Sequence, residues 1–463
     1  MNRCFYLALI LPLLPHSVLQ GQSTDDLQST IRQRTGKQVE WQKDSAANDQ
    51  IRGAIRALLR RTLTGDAAVQ IALLNNRELQ ATFEEIGIAN ADLVEASLLK
   101  NPVFFGDARF PSSPPSATNI ELSIAQEFFD VLVIPLRKKV AAAQLPKAKL
   151  RVGDAVLKLA AEVKTAFYEL QADQQLLGRL KAIHETDAAA VELAQRQHEA
   201  GNINDLDLAN QQATYSQSKL DIAETSTSIR SGREKLNRLM GTWGEDTAWK
   251  IADELPPLLA GDFPQQRLES LAINQRLDLA ATKTEIGALV GSLGITKTYR
   301  YIGSIEFGVD TEKETDGQRV TGPTWQLELP VFNQGQGRIA KLTAQLRQAE
   351  RRLESEAVAI RAEVREARDR LIAKHDLASY YRDELLPGRK KILELTLTQY
   401  NAMLKSPFDL LLAKQNEISA ERGYIDALRD YWIARANLER AVGGRLSGIS
   451  GETNSSFKEI KNK

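Results

Sequence analysis

The chain has 463 residues with 60 Lys and Arg against 60 Asp and Glu, so no global basic field draws it onto nucleic acid or an acidic membrane surface. Hydrophobic residues make up 43% and charged residues 26%, which excludes wholesale disorder, and no apolar run reaches the roughly 18 residues a membrane-spanning helix needs. A transmembrane β-barrel escapes that exclusion, because its strands alternate in polarity and average out.

At the N-terminus Arg3 precedes an apolar stretch, 5–14, and residues 15–21 are small, polar and helix-breaking. This reads as a secretory signal peptide over 1–21. The sole cysteine, Cys4, precedes the apolar core, whereas lipidation needs a cysteine just behind it. Processing then leaves a chain without disulfides, zinc-thiolate sites or thiol nucleophiles. Residues 22–62, with Trp41, form an N-terminal extension.

From residue 63 the chain repeats itself. Residues 75–82 with Glu85-Ile86-Gly87 align with 275–282 and Glu285-Ile286-Gly287 at an offset of 200, while Phe129-Asp130 aligns with Phe332-Asn333 at 203 and Asp207 with Asp409 at 202. The sequence is a tandem duplication, 63–242 and 267–446, joined by a Gly- and Pro-containing connector at 243–266 and followed by a polar tail, 447–463, read as disordered.

Each copy reads as a helix, two strands, a very long helix and a long helix. In the first strands Phe104, Gly106, Ala108 and Phe110 alternate with Phe105, Asp107 and Arg109, and Ile120, Leu122 and Ile124 with Glu121, Ser123 and Glu127. The second copy sets Tyr301, Gly303, Ile305, Phe307 and Val309 against Ser304, Glu306 and Asp310, then Trp325, Leu327 and Leu329 against Gln326 and Glu328. Short alternating segments with terminal aromatics are the pattern of outer-membrane barrel strands. Phe104, Leu122, Ile124, Ile305, Phe307, Trp325, Leu327 and Leu329 are therefore expected to face lipid. Asp107, Arg109, Glu121, Glu127, Glu306, Asp310, Gln326 and Glu328 are expected to line a lumen, with 111–118 and 311–322 as external loops. Four strands cannot close a barrel with a lumen, and open sheet edges are not tolerated in lipid, so several chains must share one. Three chains give about twelve strands and a water-filled interior, two give about eight and a plugged one.

Behind the strands come heptads. Val156, Val163, Leu170 and Leu177 fall seven apart, as do Leu208, Tyr215, Ile222, Ile229 and Leu236. In the second copy two faces do so: Ile339, Leu346, Leu353 and Ile360, and Ala357, Val364, Leu371, Ala378, Leu385 and Ile392. Two apolar series on one helix imply a neighbour on each side, as in a closed ring. Residues 137–202 and 338–404 make rods about 100 Å long, expected to bend at Pro146 and at Pro387-Gly388 with the register carried on to Ile392. The fold class is mainly α with a membrane β part: tandem-duplicated long coiled-coil helices plus four strands.

Chemistry-bearing residues are sparse. His16, His184, His198 and His375 are scattered, His184 continues the Val156 series as a polar seam residue, and Met240 and Met403 are too few for a copper site. With no phosphate loop or nucleophile motif, no enzyme activity, cofactor or resident metal is expected.

The duplicated halves, the junction Leu329-Pro330-Val331-Phe332-Asn333-Gln334-Gly335-Gln336-Gly337-Arg338 and the segment Pro407-Phe408-Asp409-Leu410-Leu411-Leu412-Ala413-Lys414-Gln415 resemble the TolC-type outer-membrane efflux channels over residues 63–446. The resemblance implies a homotrimer with a shared barrel in the outer membrane, and a helical barrel with an equatorial belt in the periplasm. It also implies docking to a periplasmic adaptor (membrane fusion) protein and an inner-membrane pump. The similarity is greatest to members that accompany heavy-metal or other resistance-nodulation-division pumps. Val131-Leu132-Val133-Ile134-Pro135 stands where the family has a glycine-rich turn, so a differently built junction is expected there. The periplasmic tip falls at two helix reversals, with Gly201, Asn204, Asp205 and Asp207 in one and Tyr400, Lys405, Ser406 and Asp409 in the other. Asn204 and Ser406 suit helix caps with Asp207 and Asp409 three residues on. Alternatively, threefold symmetry gathers Asp205, Asp207 or Asp409 into a cation-attracting constriction that Tyr400 and Lys405 help hold shut. The rival reading is a secreted or periplasmic coiled-coil scaffold or adaptor; an adaptor would carry one hairpin with β-rich flanks, and here the hairpin is duplicated.

Overall fold

The computed structural model describes residues 22–42, 45–115, 117–259 and 267–446; the expected signal peptide and C-terminal tail lie outside the described residues. Helices α1 (Gln22–Thr35) and α2 (Ser45–Leu59) form the extension. The first repeat follows as α3 (Gly65–Asn75), α4 (Arg77–Ser97), β1 (Val103–Arg109), β2 (Asn119–Glu127), α5 (Phe129–Ala142), α6 (Gln144–Glu199) and α7 (Asp205–Met240). The second runs α8 (Leu268–Gln275), α9 (Leu277–Thr298), β3 (Ile305–Lys313), β4 (Arg319–Leu327), α10 (Gln336–Tyr380), a π-turn (Tyr381–Leu385), α11 (Leu386–Asn401) and α12 (Pro407–Val442). No helix among the described residues is long and apolar enough to cross a membrane.

The single leading helix expected in each repeat is two. Both break at equivalent residues in extended conformation, Asn76 (φ −64, ψ 122) and Arg276 (φ −61, ψ 125). Asn76 competes with the helix through its side chain, its Oδ1 accepting from the Leu79 N–H at 2.8 Å and capping α4. At the second break Asp278 accepts from the Leu279 N–H at 2.8 Å, and the Arg276 guanidinium is clamped between Asp278 (2.6 Å) and Glu363 (2.5 Å). These carboxylates hold the guanidinium's proton above its ordinary range against the opposing effect of burial.

The end of each repeat locks onto the break at its start. α7 and α12 terminate at Gly241 (φ 66) and Gly443 (φ 89), left-handed caps that glycine adopts without strain. The backbones approach so closely that a Cβ on Gly241 would stand 2.6 Å from the Asn75 carbonyl oxygen. Asn75 Nδ2 donates to the carbonyls of Met240 (3.0 Å) and Gly241 (2.7 Å). In the second repeat Arg34 of α1 supplies the bond, donating to the carbonyls of Gly443 (2.8 Å) and Gln275. The extension is thereby stapled to the far end of the chain. It also lies along α3 and α4, where the Gln38 N–H donates to Gln70 Oε1 (3.0 Å), Gln70 Nε2 returns to the Gln38 carbonyl (2.9 Å), and Trp41 stacks on Phe83.

Two hydrophobic cores sit at this level. One packs Ile71, Phe83, Ile86, Val163, Leu170, Leu236 and Met240; the other packs Ile360, Val364, Leu371, Tyr431 and Leu438. The connector contributes to both: Trp249 is buried, donates to Asn237 Oδ1 (2.8 Å) and lies under Arg233, while Leu255 and Leu258 enter the second core. Away from the cores run the rods; α6 alone has 56 residues, about 84 Å at 1.5 Å per residue.

Both rods differ from expectation in detail. The first begins at Phe129, because Val131-Leu132-Val133-Ile134-Pro135 folds as helix α5, and it breaks at Ala143 so that Pro146 falls in the first turn of α6, where its missing N–H costs nothing. In the second, a π-turn directly precedes Pro387 and widens the helix where the proline ring would meet the preceding turn. The extra residue shifts the register. Val364, Leu371 and Ala378 are buried above it, but Ile392 is 49% exposed below it and Leu393 takes the half-buried position.

Gly241 and Gly244 separate conformational from contact strain, since both have positive φ (66 and 61) but a Cβ on Gly244 would meet open space. Gly244→Ala should cost about 1 kcal/mol and Gly241→Ala clearly more, because the Asn75 contact must also open. Thermal melts of the purified protein check this, and equal losses would remove the packing role of Gly241.

Candidate channel wall and tip

The four strands form one antiparallel sheet in the order β1-β2-β3-β4, with β2 and β3 joining the two repeats. Because side chains alternate along each strand, register decides which residues share a face. Phe104 pairs Ile124, which pairs Val309; Phe307 pairs Trp325, and Ile305 pairs Leu327. On the other face Asp107 pairs Glu121, Glu121 pairs Glu312, Ser123 pairs Asp310, and Glu127 pairs Glu306, which pairs Gln326. The apolar and polar sets read from the sequence thus segregate across all four strands.

Glu328 and Leu329 lie past the last residue of β4, but the Glu328 N–H donates to the Ser304 carbonyl (3.0 Å) and its carboxylate accepts from Ser304 Oγ (3.2 Å), which sets Glu328 opposite Ser304 in the register that pairs Ile305 with Leu327 and in line with Gln326. The expected loop 311–322 is also mostly strand. Pairing continues to Lys313 and Arg319, with the Thr311 and Thr321 hydroxyls 2.9 Å apart, leaving only 314–318 as a turn around Gly317 (φ 89). β-branched Thr311, Val320 and Thr321 favour the strand, and polarity alone had suggested a loop.

The polar face is acidic. Asp107, Glu121, Glu127, Glu306, Asp310 and Glu312 stand on it, and the cations reaching them are Arg109, 2.8 Å from Asp107 and 3.7 Å from Glu121, and Lys100, 2.5 Å from Glu127. Glu121 opposite Glu312 and Glu127 opposite Glu306 are like-charge pairs, unfavourable unless water and counter-ions reach them.

At the other end of the rods the two reversals share a geometry. Gly201 (φ 72) and Met403 (φ 59) occupy the same left-handed position, and the Asn202 and Leu404 N–H groups donate back to the carbonyls of Gln197 (2.8 Å) and Gln399 (2.9 Å). Asn204 caps α7 by accepting from the Asp207 N–H (2.8 Å). Ser406 and Asp409 form a complete capping box on α12: Ser406 Oγ accepts from the Asp409 N–H (3.2 Å) and Asp409 accepts from the Ser406 N–H (3.0 Å). Those bonds from Ser406 hold the Asp409 carboxyl below its ordinary range. Asp207 makes no such return bond among the described residues. Asp205, 97% exposed at its side chain, meets His198 Nε2 at 2.7 Å, while the side chains of Tyr400 and Lys405 make no hydrogen bond or ion pair among the described residues. Sequence reasoning missed the His198 contact, which spans the reversal. The second reversal starts at Met403, 202 residues after Gly201 as the repeat offset requires, and what sequence reasoning missed there is the left-handed backbone of a non-glycine residue.

A family model described as outer membrane efflux protein matches residues 68–242 and 270–444, both repeats almost in full. The chain belongs to the outer membrane efflux protein family. It is 22% identical over 390 residues, 82% of this chain and 90% of the relative, to the cobalt-zinc-cadmium resistance protein CzcC of Cupriavidus metallidurans. Among solved structures it matches a membrane protein from Pseudomonas aeruginosa at a TM-score of 0.70 (20% identity, covering 84% of this chain and 92% of that one). It also matches the Campylobacter jejuni CmeC outer membrane channel at 0.68 (16% identity, 82% and 85%). The protein is an outer-membrane efflux channel. The scaffold and adaptor reading therefore falls.

In this efflux channel Met403 carries a left-handed strain that Gly201 does not. Met403→Gly should slow, and Gly201→Ala should speed, amide exchange in the adjoining helix ends, read by mass spectrometry on the purified channel. The same sign for both would show that the two reversals are not equivalent.

Proposed function

We propose that three copies of this chain close a shared barrel of about twelve strands and that the resulting duct passively conducts metal cations, delivered by a periplasmic adaptor and an inner-membrane pump. The observation that carries this reading is the sheet itself: both outer edges, on β1 and β4, are unpaired among the described residues, while its faces are sorted into apolar and acidic. Hydrocarbon does not tolerate unpaired edges, so further copies supply the partners, with Leu122, Ile124, Phe307, Trp325 and Leu327 toward lipid and the carboxylates toward the lumen. The cation preference is supported by those carboxylates, and the metal class by the similarity to a cobalt-zinc-cadmium resistance protein. At the tip, Asp409 is engaged as a cap, which leaves Asp205 and Asp207 as the carboxylates that threefold symmetry would bring to the mouth as the gate.

Cysteines introduced by Asp107→Cys on β1 and Thr324→Cys on β4, both on the polar face, should cross-link between chains with a short thiol reagent, and the covalent ladder should stop at three. A ladder ending at two, or none, removes the trimer. For the register, Ile124→Lys, in the middle of the sheet where Ile124 pairs Val309, should cost roughly 2 to 4 kcal/mol and Ser123→Lys close to nothing, measured by urea unfolding from vesicles. In a planar bilayer Asp207→Asn should lower cation preference. Asp409→Asn should lower thermal stability and leave ion preference near wild type; a reversal of the two would exchange their roles.

A further inference from the structure

A small cavity lies where the extension, the first repeat and the end of the second repeat meet. Its volume is about 40 Å³, room for about three water-sized bodies and thus for one small oxyanion. Five cations border it: Arg34 and Lys37 from the extension, Lys164 from α6, and Arg440 and Arg445 from the chain's end. Only two carboxylates border it, and each is already paired, Asp66 with Lys37 (3.3 Å) and Glu439 with Lys164 (2.7 Å). In a chain with no net charge this is a local excess of three positive charges at one cavity.

The Arg445 guanidinium is placed by the fold. The Arg445 N–H donates to the Arg34 carbonyl at 2.9 Å, and its side chain lies over Gly36, where a Cβ would come within 2.6 Å of Cζ. Gly36 (φ 66) therefore serves both its turn and the guanidinium's seat. Among the described residues neither Arg440 nor Arg445 has a side-chain hydrogen bond or ion pair. Lys37 registers the uncompensated field: burial lowers its pKa below the usual lysine range, and Arg445 and Lys164 push it the same way against the pull of Asp66.

We propose that this cavity binds a small oxyanion of the phosphate class, held by Arg440 and Arg445 with Lys37 and Lys164 at its base. Guanidinium forks match the geometry of such an anion, and two lysines supply point charges below them. The site lies about 45 Å along the α5 and α6 rod from the sheet, out of reach of lipid headgroups, so the ligand is a free periplasmic ion. Bound there, it joins the extension, the first repeat and the end of the second repeat.

The test uses the full-length channel in detergent, melted in inorganic phosphate and in sodium chloride at matched ionic strength. Phosphate should raise the apparent Tm saturably, by about 2 °C or more at millimolar concentration, and Arg440→Gln with Arg445→Gln should abolish that rise. A Gly36→Ala variant, which crowds the Arg445 guanidinium, should weaken phosphate binding at least severalfold while leaving Arg440 and Arg445 themselves chemically intact. No advantage of phosphate over chloride, or an equal rise in the double variant, overturns the proposal. A chain ending at Leu446 should bind as the full chain does; binding that appears only on this truncation would make the tail the occupant and overturn it likewise.

Discussion

A peptide group inside hydrocarbon must find its hydrogen-bond partner in protein, because no water is there to supply one. A sheet of four strands satisfies this only along its interior seams, and among the described residues the outer edges of β1 and β4 are left open. In the assembly proposed above, further copies would pair those edges, and the helices leaving the strands would stand in a ring of the same symmetry. That arrangement accounts for apolar series on more than one side of the rods and for the many residues of those series that are only half-buried within one chain.

Duplication gives each chain two near-equivalent units, and the lock between the end of a repeat and the break at its start shows how they hold together. In the first unit an asparagine amide closes that lock, and in the second an arginine from the extension does. The same mechanical task is thus done by different chemistry. The second solution ties the N-terminal segment, which belongs to neither repeat, to the two cores. Buried polar ties of this kind add less stability than specificity of arrangement, while the energy of the cores comes from residues such as Phe83, Leu170, Tyr431 and Leu438.

Much of this was legible in sequence because the two periods, two for strands and seven for rods, are carried by side chains that repeat over long stretches. The segregation of Phe104, Ile124 and Phe307 from Asp107, Glu121 and Glu306 needed nothing more. What could not be read depends on single local events. The breaks at Asn76 and Arg276 rest on one side-chain bond and one ion cluster inside an otherwise helical pattern. The register slip at Tyr381–Leu385 is one inserted residue, invisible in a heptad count that tolerates Ile392 as well as Leu393. The strands of the second copy lie nearer their turn than expected because Thr311 and Thr321 are polar yet pair well, and the meeting of Arg34, Lys164 and Arg445 joins residues hundreds of positions apart.

The pairing of β2 with β3 sets an order of events. Gln126 opposes Phe307 across the rest of the first repeat, the connector and the start of the second repeat, so the sheet cannot form until both halves of the chain are present, whereas the α6 and α7 hairpin closes through a turn of a few residues. Loop-closure entropy therefore favours helices first and sheet last. A chain that folds in this sequence has its helical hairpin in place while the apolar side chains of its four strands are not yet gathered on one face.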